Sequence, residues 1–317
     1  MSAIRIISAS SELGAGTRGS SLGFSAMRAA AWNKGSDYFT HHPPTVLPVF
    51  NEIILDRPSS PYNDRIRYIV QTCEIIAQAV GETIQNGDFP LVISADHSNA
   101  AGTISGLKMA HPDKKLGIVW IDAHADLHSP YSTPSGNVHG MPLGAVTALD
   151  NKPYQINYPE QEVVEAWEQL KNIGNITPKV DFKDIVLIAA RDMEKAERFI
   201  LKQHKIPNFT VQKVRESGVD AIVKKALAHL EDCECIYVSF DVDSLDADIS
   251  KGTGTPVKSG LTTSEAHQLM KAFGRQKKVC CMEITEVNPT LDNKKNLMAE
   301  IALELLEDVS VVIESRL

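Results

Sequence analysis

Residues 116–130 read LGIVWIDAHADLHSP. The first six, LGIVWI, form an unbroken apolar run rich in β-branched residues, the composition of a strand buried on both faces. Immediately after it, Asp122, His124, Asp126 and His128 occupy every second position. A strand buried in the middle of a sheet that runs straight into acids and imidazoles points to a crevice at its carboxyl end.

The same kind of run recurs along the chain: IRIIS (4–8), LVISA (91–95), DIVLIAA (184–190), CIYVSF (235–240) and VCCMEI (279–284). Between these runs lie segments of helical periodicity at about 63–85, 99–110, 159–172, 193–204, 215–231, 263–275 and 293–315. Alternation of buried strands with helices predicts a doubly wound parallel sheet covered by helices on both faces. There is no tandem repeat or low-complexity linker, so the reading is a single domain over 1–317.

With 317 residues, 43% of them hydrophobic, the chain can fill a sizeable core. Its formal charge of −8 offers no basic footprint for nucleic acid or an anionic membrane, and favours a small, cationic ligand. The opening MSAIRIISAS lacks the charged start and long apolar core of a secretory signal, and no stretch approaches the ~20 apolar residues of a membrane span. A cytoplasmic location is expected. The five cysteines, Cys73, Cys233, Cys235, Cys280 and Cys281, form no paired CxxC sets and no even framework, so reduced core thiols are expected.

Three strands end in dense polar clusters: LVISA in Asp96-His97-Ser98, LGIVWI in Asp122-Ala123-His124-Ala125-Asp126, and CIYVSF in Asp241-Val242-Asp243. Ligands of open α/β sheets gather beyond the carboxyl ends of the strands, so these clusters should share one crevice. Period-2 spacing lets Asp122, His124 and Asp126 converge if the strand runs on or loops at its end. Asp241 and Asp243 repeat the arrangement. Four carboxylates this close repel one another and shift their pKa values upward unless cations intervene. A mainly oxygen donor set with some imidazole suits Mn²⁺, with Zn²⁺ and Fe²⁺ left open. Six ligand residues with two bridging carboxylates would suffice for two ions about 3.5–4 Å apart.

The segments SADHS, DAHAD, SGNVHG, SFDVDSLD and EVNP, in this order, resemble the ureohydrolase family of arginases and agmatinases, most of all the arginases. The similarity runs from the N-terminal strand and LGAGTRG (13–19) to the last helix. It implies a three-layer α/β/α fold with a mainly parallel sheet of about eight strands, a homotrimer or homohexamer, and two Mn²⁺ per subunit. By this resemblance one ion is held by His97, Asp122, Asp126 and Asp241, and the other by Asp122, His124, Asp241 and Asp243. The implied catalytic set is His139 as proton shuttle, Glu286 as partner of the substrate guanidinium, and Asp126.

The resemblance also implies that Ser135 and Asn137 meet a substrate α-carboxylate, that Asp192 meets its α-ammonium, and that Thr255 lines the site. The expected reaction is hydrolysis of L-arginine to L-ornithine and urea. Departures from the family pattern bear on specificity. His128 stands where arginases commonly carry Asn, a size and pH response that would suit agmatine, formimidoylglutamate or a guanidino acid. Ser94-Ala95 replaces two glycines before Asp96, Ala247 replaces a proline, and Glu283 stands in place of an Asp. A silent ligand-binding homologue is the remaining alternative.

Overall fold

The computed structural model describes residues 2–55, 62–249, 251–293 and 295–317. Among these residues, eight strands, β1 (Ile4–Ala9), β2 (Thr45–Val46), β3 (Phe89–Ser94), β4 (Leu116–Ile121), β5 (Ile185–Ile188), β6 (Asn208–Phe209), β7 (Cys235–Asp241) and β8 (Val279–Thr285), form one sheet. Their order is β2-β1-β3-β8-β7-β4-β5-β6, and every pair is parallel. All six apolar runs are strands. The two edge strands, of two residues each, carry no such run.

Side chains alternate across the sheet. In β4, Val119 and Ile121 enter one core, with residues of the helices Gly23–Lys34, Val219–His229, Thr263–Gly274 and Leu297–Glu314. Leu116, Ile118 and Trp120 enter the other, with the helices Tyr62–Gln85, Ala100–Ala110 and Gln161–Lys171. The result is three layers, α/β/α. Each large side chain held fully away from water on either face contributes about 1.5–3 kcal/mol.

Several elements depart from the sequence reading. The helix Gly23–Lys34 was not expected. The pattern at 215–231 is two helices, Val211–Ser217 and Val219–His229, parted by Gly218 at φ 79°. The last helix starts at Leu297, and Lys294, within the 293–315 reading, lies outside the described residues. The cysteine expectation is also corrected. Register slips between Ile236, paired with Val279, and Tyr237, paired with Cys281, and the intervening Cys280 forms a disulfide with Cys235. Cys73, Cys233 and Cys281 are free and buried.

The helices Tyr62–Gln85 and Ala100–Ala110 cross at glycines. A Cβ on Gly102 would lie 2.7 Å from the carbonyl oxygen of Cys73, and one on Gly106 2.5 Å from that of Ala77. Gly102→Val is therefore expected to cost about 1–3 kcal/mol by overpacking, read as a lower urea midpoint with unchanged slope.

Candidate active site

The ends of β3, β8, β7, β4 and β5 are neighbours in the sheet, and the chain leaving each of them contributes to one cavity of about 260 Å³. After Ile121 the backbone leaves the strand and Asp126 takes φ 50°, so a loop brings Asp122, His124 and Asp126 together. Asp241 is the last residue of β7, and Asp243 lies in the short helical turn that follows. His97 opens a turn capped by Asp96, whose carboxylate accepts the Ser98 amide at 2.8 Å.

Two groups face each other on the floor. His97 Nδ1 lies 2.9 Å from Asp122 Oδ2, 3.1 Å from Asp126 Oδ2 and 3.2 Å from Asp241 Oδ2. His124 Nδ1 lies 3.0 Å from Asp243 Oδ2 and 3.4 Å from Asp122 Oδ1. Asp122 thus turns one oxygen to each imidazole. Asp241 Oδ1 accepts the Asp243 amide at 2.8 Å, leaving Oδ2 to the His97 group. Thr255 Oγ1 donates to Asp243 Oδ2 at 3.0 Å. All six residues proposed as ligands meet here.

These donors fit a cation. His97 Nδ1 and Asp122 Oδ2 are buried and close, yet neither makes a hydrogen bond. An unpaired buried polar atom costs about 1–3 kcal/mol, and two of them pointing at one spot are explained by a shared positive partner. Charge balance gives the same answer. Burial, and then Asp243 and Asp122, push the Asp241 carboxyl well above the carboxylate range. Burial and Asp122 raise Asp126 to about 6. Burial opposes charge on both imidazoles, but the surrounding carboxylates raise His97 and His124 regardless. Divalent ions would replace these protons.

His139 and Glu286 form the wall. His139 Nδ1 lies 2.9 Å from Glu286 Oε1, which also accepts the His97 amide at 3.0 Å. Burial works against the charge of His139, yet Glu286 raises it to about 9. Glu286 holds φ 68°, a backbone conformation costly for a non-glycine residue and typical of constrained sites. The Gly-rich segment supports this wall from behind. Gly14 donates to Asp96 Oδ2 at 2.8 Å and its carbonyl accepts the His139 amide at 3.2 Å. A Cβ on Gly14 would lie 2.5 Å from Ser98 Oγ, so a side chain there would push the wall away.

Ser135, Asn137 and Asp192 line the cavity mouth. Ser135 Oγ accepts the Asn137 amide at 3.2 Å. Asp192 is 69% exposed, with His124 Nε2 3.9 Å away. His128 is buried, its Nε2 3.1 Å from Glu194 and 3.6 Å from Glu197, its Nδ1 3.3 Å from Ser132. Glu194 and Glu197 were missed in the sequence because they head the 195–204 helix. There they form a reciprocal cap that any helix start could carry. The signal that could have found them is position: the pair opens the helix that follows β5, whose carboxyl end faces the same crevice. Bonding to His128 lowers Glu194 to about 2, while burial and the neighbouring Glu194 raise Glu197.

A parallel sheet with paired acid–imidazole groups beyond its strand ends is a candidate metal-dependent hydrolytic centre. The arginase family profile matches residues 2–311, and the chain belongs to that family. The arginase of Brevibacillus brevis is 33% identical over 316 residues, 96% of each chain. The structure of Bacillus caldovelox arginase superposes with a TM-score of 0.81 at 30% identity over the whole of both chains. That of Bacillus subtilis gives 0.79 at 30% identity, over 97% of this chain and 98% of the other. The protein is accordingly an enzyme that hydrolyses linear amidines.

Proposed function

We propose that the enzyme hydrolyses L-arginine to L-ornithine and urea, using two Mn²⁺ held by His97, Asp122, Asp126, Asp241 and by Asp122, His124, Asp241, Asp243. The observation that carries this is the shared position of Asp122 between two imidazoles at the cavity floor, below the His139–Glu286 pair. Relatives that are about a third identical and named arginase support the choice of arginine. When bound, two such ions lower the pKa of the water between them and make hydroxide available near neutral pH. We take the unit to be one catalytic domain, in a cytoplasmic homotrimer or homohexamer.

The chain's own groups do the rest. Glu286 presents a carboxylate to the entering guanidinium, and against the opposing effect of burial its charge favours a proton on the neighbouring His139. The departing amine needs that proton, and His139 stands on the cavity wall to give it. Further out, Asp192 and Glu194 offer negative charge to an α-ammonium. Ser135, Asn137 and His128 offer donors to an α-carboxylate.

The 3.1 Å contact of His128 Nε2 with Glu194, which occupies both side chains, favours a second reading, an amidine whose far end is not an amino acid. A panel of arginine, agmatine, guanidinobutyrate and formimidoylglutamate separates the two. Arginine is expected to lead by at least tenfold in kcat/KM, and agmatine outpacing it would overturn the reading. Glu194→Gln is expected to raise KM for arginine about tenfold with little change in kcat, since a charged hydrogen bond contributes roughly 1.5–3 kcal/mol.

A further inference from the structure

Arg191 directly precedes Asp192 of the cavity mouth, and the proposed reaction gives it no part. Its side chain donates to five main-chain carbonyls. Nε reaches that of Lys258 at 3.0 Å and Nη1 that of Ala189 at 3.1 Å, while Nη2 reaches Asp243 at 2.9 Å, Leu245 at 3.2 Å and Val257 at 2.8 Å. A guanidinium only donates and a carbonyl only accepts, so the direction of each bond is fixed whatever the neighbouring acids carry. Lysine, with three donors on one atom, could not serve all five.

These carbonyls belong to the end of β5, to the turn that carries Asp243, and to the segment just after Thr255. The last two are also bonded to each other, the Ala247 amide to the Val257 carbonyl at 3.2 Å and the Leu261 amide to that of Ser244 at 2.9 Å. Asp243 is held from both sides: Oδ2 accepts from Thr255, and Oδ1 accepts the Ala123 amide at 3.1 Å. The Ala123 carbonyl, between Asp122 and His124, accepts the amide of Arg191 itself at 2.8 Å. Side chain and main chain of Arg191 therefore frame the His124 group. None of these bonds reaches His97, whose amide goes to Glu286 and whose turn is capped by Asp96.

We propose that Arg191 is a positioning residue for one ion only: it clamps the Asp243 turn to the segment after Thr255 and so presets the His124 and Asp243 ligands before metal arrives. The His97 side has its own support, so the two sites should respond separately. Groups behind the ligands set metal affinity by holding the ligands in place, and losing one typically costs 10–100-fold. This inference rests on the two-ion reading above.

The test is Mn²⁺ titration calorimetry on the metal-depleted full chain, with Arg191→Lys placed in the His97→Asn and His124→Asn backgrounds. In His97→Asn, where the His124 site remains, it is expected to weaken binding about tenfold. In His124→Asn, where the His97 site remains, the change should be less than twofold. A general loss of structure would weaken both alike, and that result overturns the inference, as does no change in either. Should Arg191→Lys fail to fold by circular dichroism, hydrogen exchange of the wild type decides. The Ala247 and Leu261 amides should be as protected without metal as with Mn²⁺, and protection that appears only on adding Mn²⁺ would mean that the ion, not Arg191, orders the turn. A wild type that binds no divalent ion would instead sink the two-ion reading, and this inference with it.

Discussion

Asp241→Asn is expected to remove nearly all turnover and, at the same time, to make the metal-free protein harder to unfold. The first effect follows from losing a carboxylate that the His97 group needs and that we assign to both ions. Metal assistance supplies several kcal/mol to hydrolysis, and each 1.36 kcal/mol is a factor of ten, so the fall should be about a thousandfold or more. The second effect follows from repulsion. Asp241 is buried among acids, and its folded pKa lies well above the unfolded value. The folded state therefore binds the extra proton, and stability is lost as pH rises from the unfolded value up through the folded one.

Asparagine carries no such penalty, so the variant's advantage should vanish below about pH 4 and grow toward neutrality, by about 1.4 kcal/mol for each pH unit that separates the unfolded from the folded titration. Urea unfolding of chelator-treated protein at both pH values, with bound metal measured by elemental analysis, checks both signs. A variant that keeps two ions and full activity, or that unfolds more easily when metal-free, would contradict the charge argument.

His139→Asn should lower kcat by about 10²–10⁴-fold, the range a positioned proton donor contributes. KM and bound metal should barely move, because His139 stands in neither imidazole–carboxylate group and touches Glu286 instead. Measuring kcat, KM and metal content on one preparation separates proton donation from metal loss. A fall of less than tenfold would mean that the leaving amine takes its proton elsewhere. A fall matched by lost metal would mean that His139 acts by holding the site together.

The six long strands were legible because both their faces are buried, which writes an unbroken apolar run into the sequence. Thr45–Val46 and Asn208–Phe209 were not, since two residues at a sheet edge leave no such run. The helix Gly23–Lys34 is alanine-rich and only weakly one-sided, with Phe24, Met27, Ala30 and Ala31 inside and Trp32 85% exposed. The six proposed ligands were legible from their places at strand ends. What stayed hidden depends on register and on contacts between distant segments. The disulfide needs the slip at Ile236 and Tyr237. The pairing of His128 with Glu194 spans 66 residues, and that of Ser94 with Glu283 spans 189.

The strand order has a consequence for how the molecule is made. β8 is the last strand to be synthesised, yet it lies between β3 and β7 in the middle of the sheet. Until it emerges from the ribosome, the β2-β1-β3 part and the β7-β4-β5-β6 part have no common edge. His97 on one side and Asp122, Asp126 and Asp241 on the other then lack the strand that sets their spacing, and only helix packing such as that of Tyr62–Gln85 on Gln161–Lys171 links the two parts. A nascent chain stopped before Val279 holds five of the six proposed ligands on one part of the sheet and the sixth on the other. Metal capture thus becomes a late event of biogenesis, and the open edges of β3 and β7 are the surfaces a chaperone would have to shield meanwhile.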